Sequence, residues 1–452
     1  MLYIVKKEDN TEMDNTEKLV FIETLGCQMN KSDSEKILGI LKALGYEQTK
    51  NHKEANLLII NTCNIREMSK NKAYSHLGMW GQMKKHRPIK IAICGCVAQQ
   101  DAFDVFKRAP YVDLVFGTHN IYELPTLIKR LETEENVCSI RKSDYKDGQE
   151  NFTPKRALGY NAWIPIIEGC DYFCTYCVVP YVRGRQRSRM PEDIIKEVKT
   201  AISQGYPEIT LLGQTVDSYG RDLDNPSITL ASLLRQVHEI EGLKRLRFTT
   251  SYPTDITDEL IQTVKELPKV CKYFHIPMQS GSTEVLKRMK RRYTREEYIT
   301  IVNKIRSQIE NVTITSDFIV GFPGETEEQF EETMSIIDEA MLDYSNTASY
   351  SPRKQTPAAT WRDEFVDEQT KKERLLILNN KVKESSKASN ERYIGKILEV
   401  LVDEYKEDKG LISGKSQNEK IVHAKGSKEM LGKVVKVKIT TASNWCIKGE
   451  IV

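Results

Sequence analysis

Three cysteines within one short segment constrain this chain more than any other feature of its sequence. Cys170, Cys174 and Cys177 follow the apolar run 163–167. Thiolates at such short spacing repel one another unless a cation takes up their charge, so the spacing indicates a metal site. A structural zinc ion needs four ligands, and no fourth Cys or His follows within reach. An iron–sulfur cluster with three cysteine ligands and one open iron fits better. A zinc or disulfide loop is the alternative.

The overall composition is that of an ordinary globular protein. The chain has 452 residues, 39% of them hydrophobic and 29% charged, which suggests about two to four domains. No segment contains the ~18 uninterrupted apolar residues of a membrane span. The stretch 1–17 carries several acidic residues and few apolar ones, unlike a secretory signal. We therefore expect a cytoplasmic protein whose cysteines are not joined in disulfides.

The first hundred residues predict a sheet with a second group of thiols at its edge. Short apolar runs alternate with helical patterns between 18 and 115, which indicates a doubly wound α/β domain. Each of the first three predicted strands is soon followed by a cysteine. These are Cys27, Cys63 and Cys96. Because parallel strands end at one sheet edge, where ligands bind, the three form a second candidate metal site. Three unrelated core cysteines are the alternative.

The third of these thiols is ambiguous on spacing alone. Cys94 lies two residues before Cys96. Along a strand the two side chains would face the same way, so either can be the ligand.

A second α/β pattern surrounds the cysteine loop. It follows the polar stretch 146–150, which is typical of a linker. Six strand-like runs alternate with helical ones up to about residue 350 and predict a partial (β/α)6 barrel, with its chemistry at the carboxyl ends of the strands. The cysteine loop follows the first strand, and glycine-rich or polar loops follow the others. Their amides can bind the carboxylate and ribose of a nucleoside cofactor.

The last segment predicts a third, smaller domain. A charged helical stretch from 368 to about 387 leads to five strand-like runs separated by turn residues, which indicates a small antiparallel β-barrel. Cations outnumber acids between Ser386 and Val452. Such barrels often bind RNA through a basic face. A protein-docking or purely stabilising module is the alternative.

Two resemblances follow from these motifs. The spacing Cys-x3-Cys-x2-Cys after a strand resembles the radical S-adenosylmethionine (SAM) superfamily, and from Leu19 to Val452 the chain resembles the methylthiotransferase family. The motifs that carry the second resemblance are Gly26–Asn30, Asn61–Cys63, Val178–Tyr181, Phe248–Ser251 and Tyr350–Arg353.

The first motif also separates the branches of the family. The branch acting on ribosomal protein S12 typically shows Gly-Cys-Pro-Lys-Asn here, and the branch acting on threonylcarbamoyladenosine in tRNA shows Gly-Cys-Lys-Val-Asn. Gln28 and Met29 favour the branch that methylthiolates N6-isopentenyladenosine in tRNA. The other two substrates remain the alternative.

The resemblance implies a division of labour between two [4Fe–4S] clusters. One, on the barrel loop, splits SAM to a 5′-deoxyadenosyl radical, which takes the hydrogen from carbon 2 of the adenine at position 37, next to the anticodon. The other, on Cys27, Cys63 and Cys96, presents the sulfur; Cys96 is chosen over Cys94 because Gly-Cys-Val-Ala matches the family motif. No side chain is predicted to act as a catalytic acid or base, because that carbon–hydrogen bond is too strong for such chemistry.

The resemblance further implies domains, contacts and partners. The expected domains are a methylthiotransferase domain over 18–135, a radical SAM barrel over 156–386 and a TRAM RNA-binding barrel over 388–452. Expected partners are tRNA and an electron donor of the flavodoxin or ferredoxin type, and the chain is expected to be monomeric. The predicted SAM contacts are Gly213, Gln214, Gln279 and Asp317, and the predicted tRNA contacts are Lys415, Gln417, Asn418 and Lys420.

The chain departs from the family pattern at positions that are not cluster cysteines. Thr215 and Asp217 stand where asparagines are usual, and Tyr252 replaces a histidine. Lys354-Gln355 replaces a Pro-Gly pair, and Arg185-Gln186-Arg187 is more basic than the usual form. These positions put fine substrate contacts in doubt, and not the cluster chemistry.

Overall fold

The computed structural model describes residues 18–64, 67–140, 153–156 and 159–452. The chain divides into two compact units, of which the first ends at Lys155 and the second comprises Cys27–Ser32 and Arg156–Val452. The predicted linker 146–150 and the leader 1–17 lie outside the described residues. Among the helices described, none has both the length and the apolar character needed to cross a membrane. The three predicted domain ranges stay predictions.

The first unit is built on a parallel sheet. Its strands are β1 (Leu19–Leu25), β2 (Glu47–Gln48), β3 (Leu57–Thr62), β4 (Lys90–Gly95), β5 (Leu114–Phe116) and β6 (Val137–Ser139). The helices of this part of the chain are α1 (Gln28–Ala43), α2 (Glu67–Lys84), α3 (Cys96–Asp101), α4 (Asp104–Arg108) and α5 (Leu124–Arg130). The strand order is β2-β1-β3-β4-β5-β6, with all neighbours parallel.

Both faces of this sheet are covered. Leu57 and Ile59 of β3 pack into one core cluster, and Leu58 and Ile60 pack into another. Burial on both faces is why the strand is a continuous apolar run and does not alternate. The strand order reverses between β1 and β3, which is the switch point at which such sheets bind ligands. The predicted doubly wound α/β fold is confirmed.

The second unit contains six further parallel strands with helices between them. The strands are β7 (Asn161–Pro165), β10 (Glu208–Leu212), β11 (Arg245–Phe248), β12 (Tyr273–His275), β13 (Thr313–Val320) and β14 (Tyr344–Ser349), with the short hairpin pair β8 (Ile167–Glu168) and β9 (Arg187–Ser188) beside them. The helices are α6 (Val179–Val182), α7 (Pro191–Ser203), α8 (Leu230–His238), α9 (Asp258–Glu266), α10 (Thr283–Arg288), α11 (Arg295–Gln308), α12 (Glu327–Glu339) and α13 (Glu368–Glu391).

These strands form the predicted partial barrel. They run in the order β7-β10-β11 and β12-β13-β14. The two halves are joined where the Ser251 amide donates to the His275 carbonyl at 2.9 Å. One continuous apolar cluster fills the space between the strands and the helices. The (β/α)6 expectation is confirmed.

Threonine caps explain where several of these helices begin. Thr229, Thr257, Thr294 and Thr326 each accept a hydrogen bond from a backbone amide of the first helical turn. Such a cap satisfies an amide that has no partner inside the helix and stabilises it by about 1 kcal/mol.

The chain ends in a closed five-stranded barrel of order β15-β16-β17-β19-β18. Its strands are β15 (Ile397–Lys406), β16 (Leu411–Ser416), β17 (Ile421–Lys425), β18 (Val434–Ala442) and β19 (Ile447–Ile451). Alternate residues such as Val400, Val402, Val422 and Val437 fill its core, which is the period-2 pattern of a strand with one buried face. The predicted small barrel is confirmed, and its neighbouring strands are antiparallel except for β17 and β19, which pair in parallel.

Candidate functional site

The cysteine loop lies at the carboxyl end of the first barrel strand, between β8 and α6. It begins at Gly169, which has a φ of 79°. A Cβ on Gly169 would lie 2.0 Å from the Arg185 carbonyl oxygen, so only glycine fits here. The Gly169 amide donates to Gln214 Oε1 at 2.7 Å, and the Cys170 amide donates to the Gly184 carbonyl at 3.2 Å. The start of the loop is therefore fixed by backbone bonds.

The three thiols of this loop influence one another. Burial raises the pKa of Cys170 to about 11 and that of Cys177 to about 12, and the charge of the neighbouring Cys174 adds to both shifts. Thiols that are buried and adjacent stay neutral unless a cation takes up their charge. The donor set therefore suits a metal group.

The arrangement does not suit a single ion. In the part of the chain that the structure describes, no three Cys, His, Asp or Glu side chains converge closely enough to hold one metal ion. The loop supplies three thiols, one fewer than closed zinc coordination needs. Three cysteines in a short loop match the ligand set of a cluster with one open iron.

An aromatic and cationic stack lies behind the loop. The rings of Tyr172, inside the loop, and Tyr252, after β11, are stacked with centroids 3.6 Å apart and 5° between their planes. The Arg291 guanidinium lies over the Tyr252 ring at 4.3 Å. Its Nη1 also points at the Cys174 sulfur at 3.6 Å. One stack therefore connects the loop, the end of β11 and a cation beside a predicted ligand.

Two buried carboxylates hold the tyrosines of this stack. Both oxygens of Asp217 accept the Tyr252 amide, at 2.8 and 3.1 Å. The Tyr172 hydroxyl donates to Asp255, which also accepts from Ser218 and pairs with Arg221 at 2.8 Å. Burial, and then the charge of Asp255, raise the pKa of Asp217 well above its usual value. Asp217 and Tyr252, two of the departures from the family pattern, are thus direct partners.

The predicted SAM contacts are distributed over three strand ends. Gly213 and Gln214 follow β10, and a Cβ on Gly213 would lie 2.2 Å from the Ile167 side chain. Gln279 follows β12 with a φ of 79°, which is unusual for a residue with a side chain. Its amide donates to the Asp317 carbonyl at 2.8 Å. All four residues occupy the carboxyl half of the barrel, the half that contains the cysteine loop.

Asp317 has a partner that sequence reasoning missed. His275 Nε2 lies 3.2 Å from its carboxylate, and Asn346 Nδ2 donates to it at 2.9 Å. Burial raises the pKa of Asp317, but His275 and Asn346 outweigh that effect and hold it below its usual value. The carboxylate is therefore ionised inside the barrel and available to bind hydroxyl groups.

The N-terminal cysteines occupy the predicted strand ends. Cys27 directly precedes α1, and Cys63 directly follows β3. The Cys63 amide donates to the Leu25 carbonyl at 2.9 Å, which ties the ends of β1 and β3 together. Cys96 is the first residue of α3, after Gly95 with a φ of 86°.

Cys94 and Cys96 have different environments. Cys94 is 1% exposed and belongs to the apolar cluster on one face of the sheet. Burial, and then Asp33 and Cys96, raise its pKa well above the usual value. Cys96 stands outside the strand at a helix start, where backbone amides favour negative charge. Both thiols are buried, with Cys96 6% exposed, but only Cys94 belongs to an apolar core cluster.

The four predicted tRNA contacts lie against the radical SAM barrel. Gln417 donates to the Pro268 carbonyl at 3.2 Å, and Asn418 donates to the Asn311 carbonyl. Lys420 is 7% exposed and donates to Ser389 at 2.7 Å, with Asp343 at 3.7 Å. Lys415 keeps 42% of its side chain exposed but pairs with Glu419. A tRNA contact through Gln417, Asn418 or Lys420 requires these bonds to open. The tRNA role of all four residues stays a prediction.

Sequence reasoning missed the stack because its members are far apart in the chain. Tyr172 and Tyr252 follow two different strands, and Arg291 lies between α10 and α11. Arg291 stands in the basic stretch 287–295, which suggests a polyanion-binding surface when the sequence is considered alone. Tyr252 gave a usable signal, because it replaces a histidine of the family pattern.

The fold and the cysteine loop define a radical SAM protein. Residues 164–337 match the Radical SAM superfamily, residues 19–117 match the uncharacterized protein family UPF0004, and residues 391–452 match the TRAM domain. The radical SAM family uses SAM and a [4Fe–4S] cluster.

Full-length relatives narrow the class further. The tRNA-2-methylthio-N(6)-dimethylallyladenosine synthase of Clostridium beijerinckii is 44% identical over 457 residues, covering 100% of both chains. The enzyme of the same name from Clostridium tetani is 45% identical and covers 96% of this chain and 97% of its own. The chain therefore belongs to the tRNA-2-methylthio-N(6)-dimethylallyladenosine synthase family.

Solved structures share the fold at low identity. The radical SAM methyltransferase TsrM from Kitasatospora setae, solved with cobalamin and a [4Fe–4S] cluster, has a TM-score of 0.57 at 13% identity and covers 76% of this chain and 74% of its own. The cobalamin-dependent radical SAM enzyme OxsB has a TM-score of 0.52 at 15% identity, covering 79% and 56%. At these identities the likeness concerns the fold alone.

Proposed function

We propose that this protein is a tRNA methylthiotransferase that converts N6-isopentenyladenosine at position 37, next to the anticodon, into its 2-methylthio derivative. The observation that carries the proposal is the match, over the whole length of both chains, to relatives named for this reaction. The Gln28-Met29 pair supports the same branch. An adenine in the single-stranded anticodon loop is accessible to a protein, unlike a base inside a helix.

Cys170, Cys174 and Cys177 are the residues that would hold the barrel cluster. When bound, that cluster and SAM together supply the radical that activates carbon 2 of the adenine. The protein fixes the loop through Gly169 and Gln214 and encloses it with the Tyr172–Tyr252 stack. These contacts fix the positions of the thiols.

We assign a second [4Fe–4S] cluster to Cys27, Cys63 and Cys96. Each thiol follows a strand of the parallel sheet, and Cys27 and Cys96 stand at helix starts, where negative charge is favoured. Cys94 is left out because it packs in the apolar core. The family resemblance makes this cluster the source of the transferred sulfur.

Gly213, Gln214, Gln279 and Asp317 are the proposed SAM contacts. The ionised Asp317 carboxylate can accept hydrogen bonds from ribose hydroxyls. Gly213 allows the backbone to approach the cofactor closely, and the left-handed conformation of Gln279 is the kind of strain that concentrates at binding sites.

tRNA binding by the C-terminal barrel needs cations that are free to meet phosphates. Among the described ion pairs, none includes Lys425 or Lys448, and both residues are exposed, the first on β17 and the second on β19; we call their side of the barrel the outer face. His423 of β17 pairs with Lys448 of β19. Burial, and then the charges of Lys406 and Lys448, lower the pKa of His423. We propose that tRNA phosphates contact this outer face and also Lys415. For Gln417, Asn418 or Lys420 to contact tRNA, their hydrogen bonds within the protein must open.

The remaining partners follow from the chemistry. Reduction of the cluster requires an external one-electron donor of the flavodoxin or ferredoxin type. We further propose that the protein works as a monomer in the cytoplasm, where its tRNA substrate is found.

The test is mass spectrometry of tRNA nucleosides from cells that lack the protein, complemented with the wild type, Cys63→Ala or Cys174→Ala. We expect 2-methylthio-N6-isopentenyladenosine with the wild type alone and N6-isopentenyladenosine in the other strains. A methylthio group that instead depends on this protein in threonylcarbamoyladenosine, or on ribosomal protein S12, would refute the proposal.

A further inference from the structure

Arg291 is a cation whose partners are almost all neutral. Nη2 donates to the Pro277 carbonyl at 2.7 Å, and Nε donates to the Tyr293 hydroxyl at 2.7 Å. The guanidinium lies over the rings of Tyr252 and Tyr293 at 4.3 and 5.0 Å. None of the ion pairs within the described ranges includes Arg291. Enclosing a cation among neutral groups costs folding free energy unless a negative charge lies nearby.

Two neighbours can supply this charge: the ionised Asp317, whose pKa is lowered in part by the charge of Arg291, and Cys174, the one of the two in hydrogen-bond contact with it. Nη1 lies 3.6 Å from the Cys174 sulfur, within the distance of an N–H···S hydrogen bond. The Tyr252 ring fixes the guanidinium from one side, and that ring is held against Tyr172, two residues from Cys174 in the loop. The direction of the N–H donor is therefore set by the same stack that sets the loop.

The surrounding bonds make this placement rigid. The Asp217 carboxylate holds the Tyr252 amide, and the Tyr252 hydroxyl accepts from the Arg292 amide at 3.0 Å. The residue next to Arg291 is thus fixed by the ring on which Arg291 lies. Such a supporting shell holds a ligand and tunes the metal that it binds.

We propose that Arg291 is a positioning residue for the barrel cluster, which donates a hydrogen bond to the Cys174 sulfur and raises the reduction potential of the cluster. Net charge and hydrogen bonds to sulfur are two of the factors that set such potentials. A cluster held by thiolates becomes more negative when it gains an electron, so a cation beside one ligand favours the reduced form. This inference rests on the proposed cluster site and does not depend on the identity of the tRNA substrate.

The experiment uses the full-length chain with Cys27, Cys63 and Cys96 all changed to alanine, so that a single cluster titrates. Arg291→Gln, Arg291→Lys and Lys290→Gln are introduced into this background and reconstituted anaerobically. Lys290 is the matched control, because it is an exposed cation next to Arg291 in sequence. The readouts are iron and sulfide content and the midpoint potential, followed by electron paramagnetic resonance without SAM.

We expect Arg291→Gln to shift the midpoint to a more negative potential, Arg291→Lys to shift it less and Lys290→Gln to leave it unchanged. Arg291→Gln with full iron and an unchanged potential overturns the proposal, even if SAM binding is weakened, since Arg291 would then serve the cofactor and not the cluster. If the Arg291→Gln variant loses its iron, the Arg291→Lys variant decides the outcome. Iron retained by Arg291→Lys supports a role of the positive charge at the cluster. Iron lost from Arg291→Lys as well means that Arg291 only maintains the fold.

These outcomes can be separated from a failure of the proposed function. A background protein that binds no iron would refute the cluster site itself. An altered potential together with no tRNA product from the wild type would refute the substrate and leave the role of Arg291 standing.

Discussion

The cations at the two ends of the radical SAM barrel have different kinds of partner. At the carboxyl ends of the strands, Arg291 has neutral partners and a thiol. At the amino ends, Arg247 pairs with Glu208 at 3.0 Å and with Glu419, and Lys420 lies beside Asp343. Arg247 is therefore neutralised by carboxylates within the protein. None of the ion pairs among the described residues includes Arg291, so its guanidinium can still pair with a negative group that binds. The comparison distinguishes the end that performs chemistry from the end that holds the C-terminal barrel.

The amino end is also where the C-terminal barrel is attached. Arg245 donates to the Glu399 carbonyl at 2.7 Å, and Arg247 donates to the Ser416 carbonyl at 2.8 Å. Removing the C-terminal barrel would take these acceptors from both guanidiniums and leave Arg247 with Glu208 alone, so loss of tRNA binding in a truncated chain would not distinguish RNA contacts from unfolding. Point variants are the better test.

The largest effect is expected at the chemical end. Cys174→Ala should abolish both SAM cleavage and the tRNA product, because it removes a cluster ligand and the partner of Arg291. Cys63→Ala should abolish only the tRNA product. The measurements are 5′-deoxyadenosine and methylthiolated nucleoside formed in vitro. Cys271→Ala, which changes a buried thiol outside the loop, is the control; SAM cleavage that survives Cys174→Ala would contradict the assignment of the loop.

A large loss of stability is expected at the other end. Arg247→Gln leaves the buried Glu208 without its cation and leaves Glu419 with Lys415 alone, which should lower the free energy of unfolding by about 3–5 kcal/mol. Urea unfolding of the cluster-free protein measures it. Arg235→Gln is the matched control, because Arg235 and Glu266 form an exposed pair at 3.1 Å with 43% and 45% of their side chains accessible, expected to contribute about 0–1 kcal/mol. Equal losses of unfolding free energy in the two variants would mean that the buried pairing of Arg247 is no more important to stability than an exposed ion pair.

A smaller, pH-dependent effect is expected from Lys420. Burial lowers the pKa of Lys420 to about 8, although Asp343 partly opposes the shift. The unfolded chain therefore binds this proton more tightly, and the Lys420 contribution to the free energy of unfolding should rise from about pH 8 to ~10.4, by about 1.4 kcal/mol per pKa unit. Lys420→Met should remove that rise. Urea unfolding of wild type and variant across this pH range measures the Lys420 contribution as the difference between their free energies of unfolding. If the two free energies change with pH in parallel, Lys420 is not buried as a cation.

The smallest effect is expected on tRNA affinity, when lysines on two different faces of the C-terminal barrel are replaced. Lys448→Gln on the outer face should weaken binding and reduce the slope of log affinity against log salt by about 0.7–0.9, one phosphate contact. Lys415→Gln should change the slope less, because Glu419 already holds that ammonium. Filter binding at several salt concentrations measures both. A larger change from Lys415→Gln would place the tRNA on the side facing the radical SAM barrel.

The sequence by itself determined the local features of this protein. The spacing of Cys170, Cys174 and Cys177, the buried strand runs and the alternating pattern of the last five strands all depend on neighbours in the chain. Local spacing and periodicity are readable without a structure because each residue's role follows from residues a few positions away. The sheet edge with Cys63 and Cys96 could be predicted as well, since parallel topology brings strand ends together.

Tertiary structure alone decided which side chains support the loop and which face of the last barrel is free. Tyr172 and Tyr252 stack although 80 positions separate them, and Arg291 reaches the stack from the connection between α10 and α11. A basic stretch gives no sign that one of its arginines turns inward, and a polar turn gives no sign that Gln417 and Lys420 face another domain. Such contacts depend on long-range packing, in which the partner of a charge is fixed by the fold and not by the adjacent sequence.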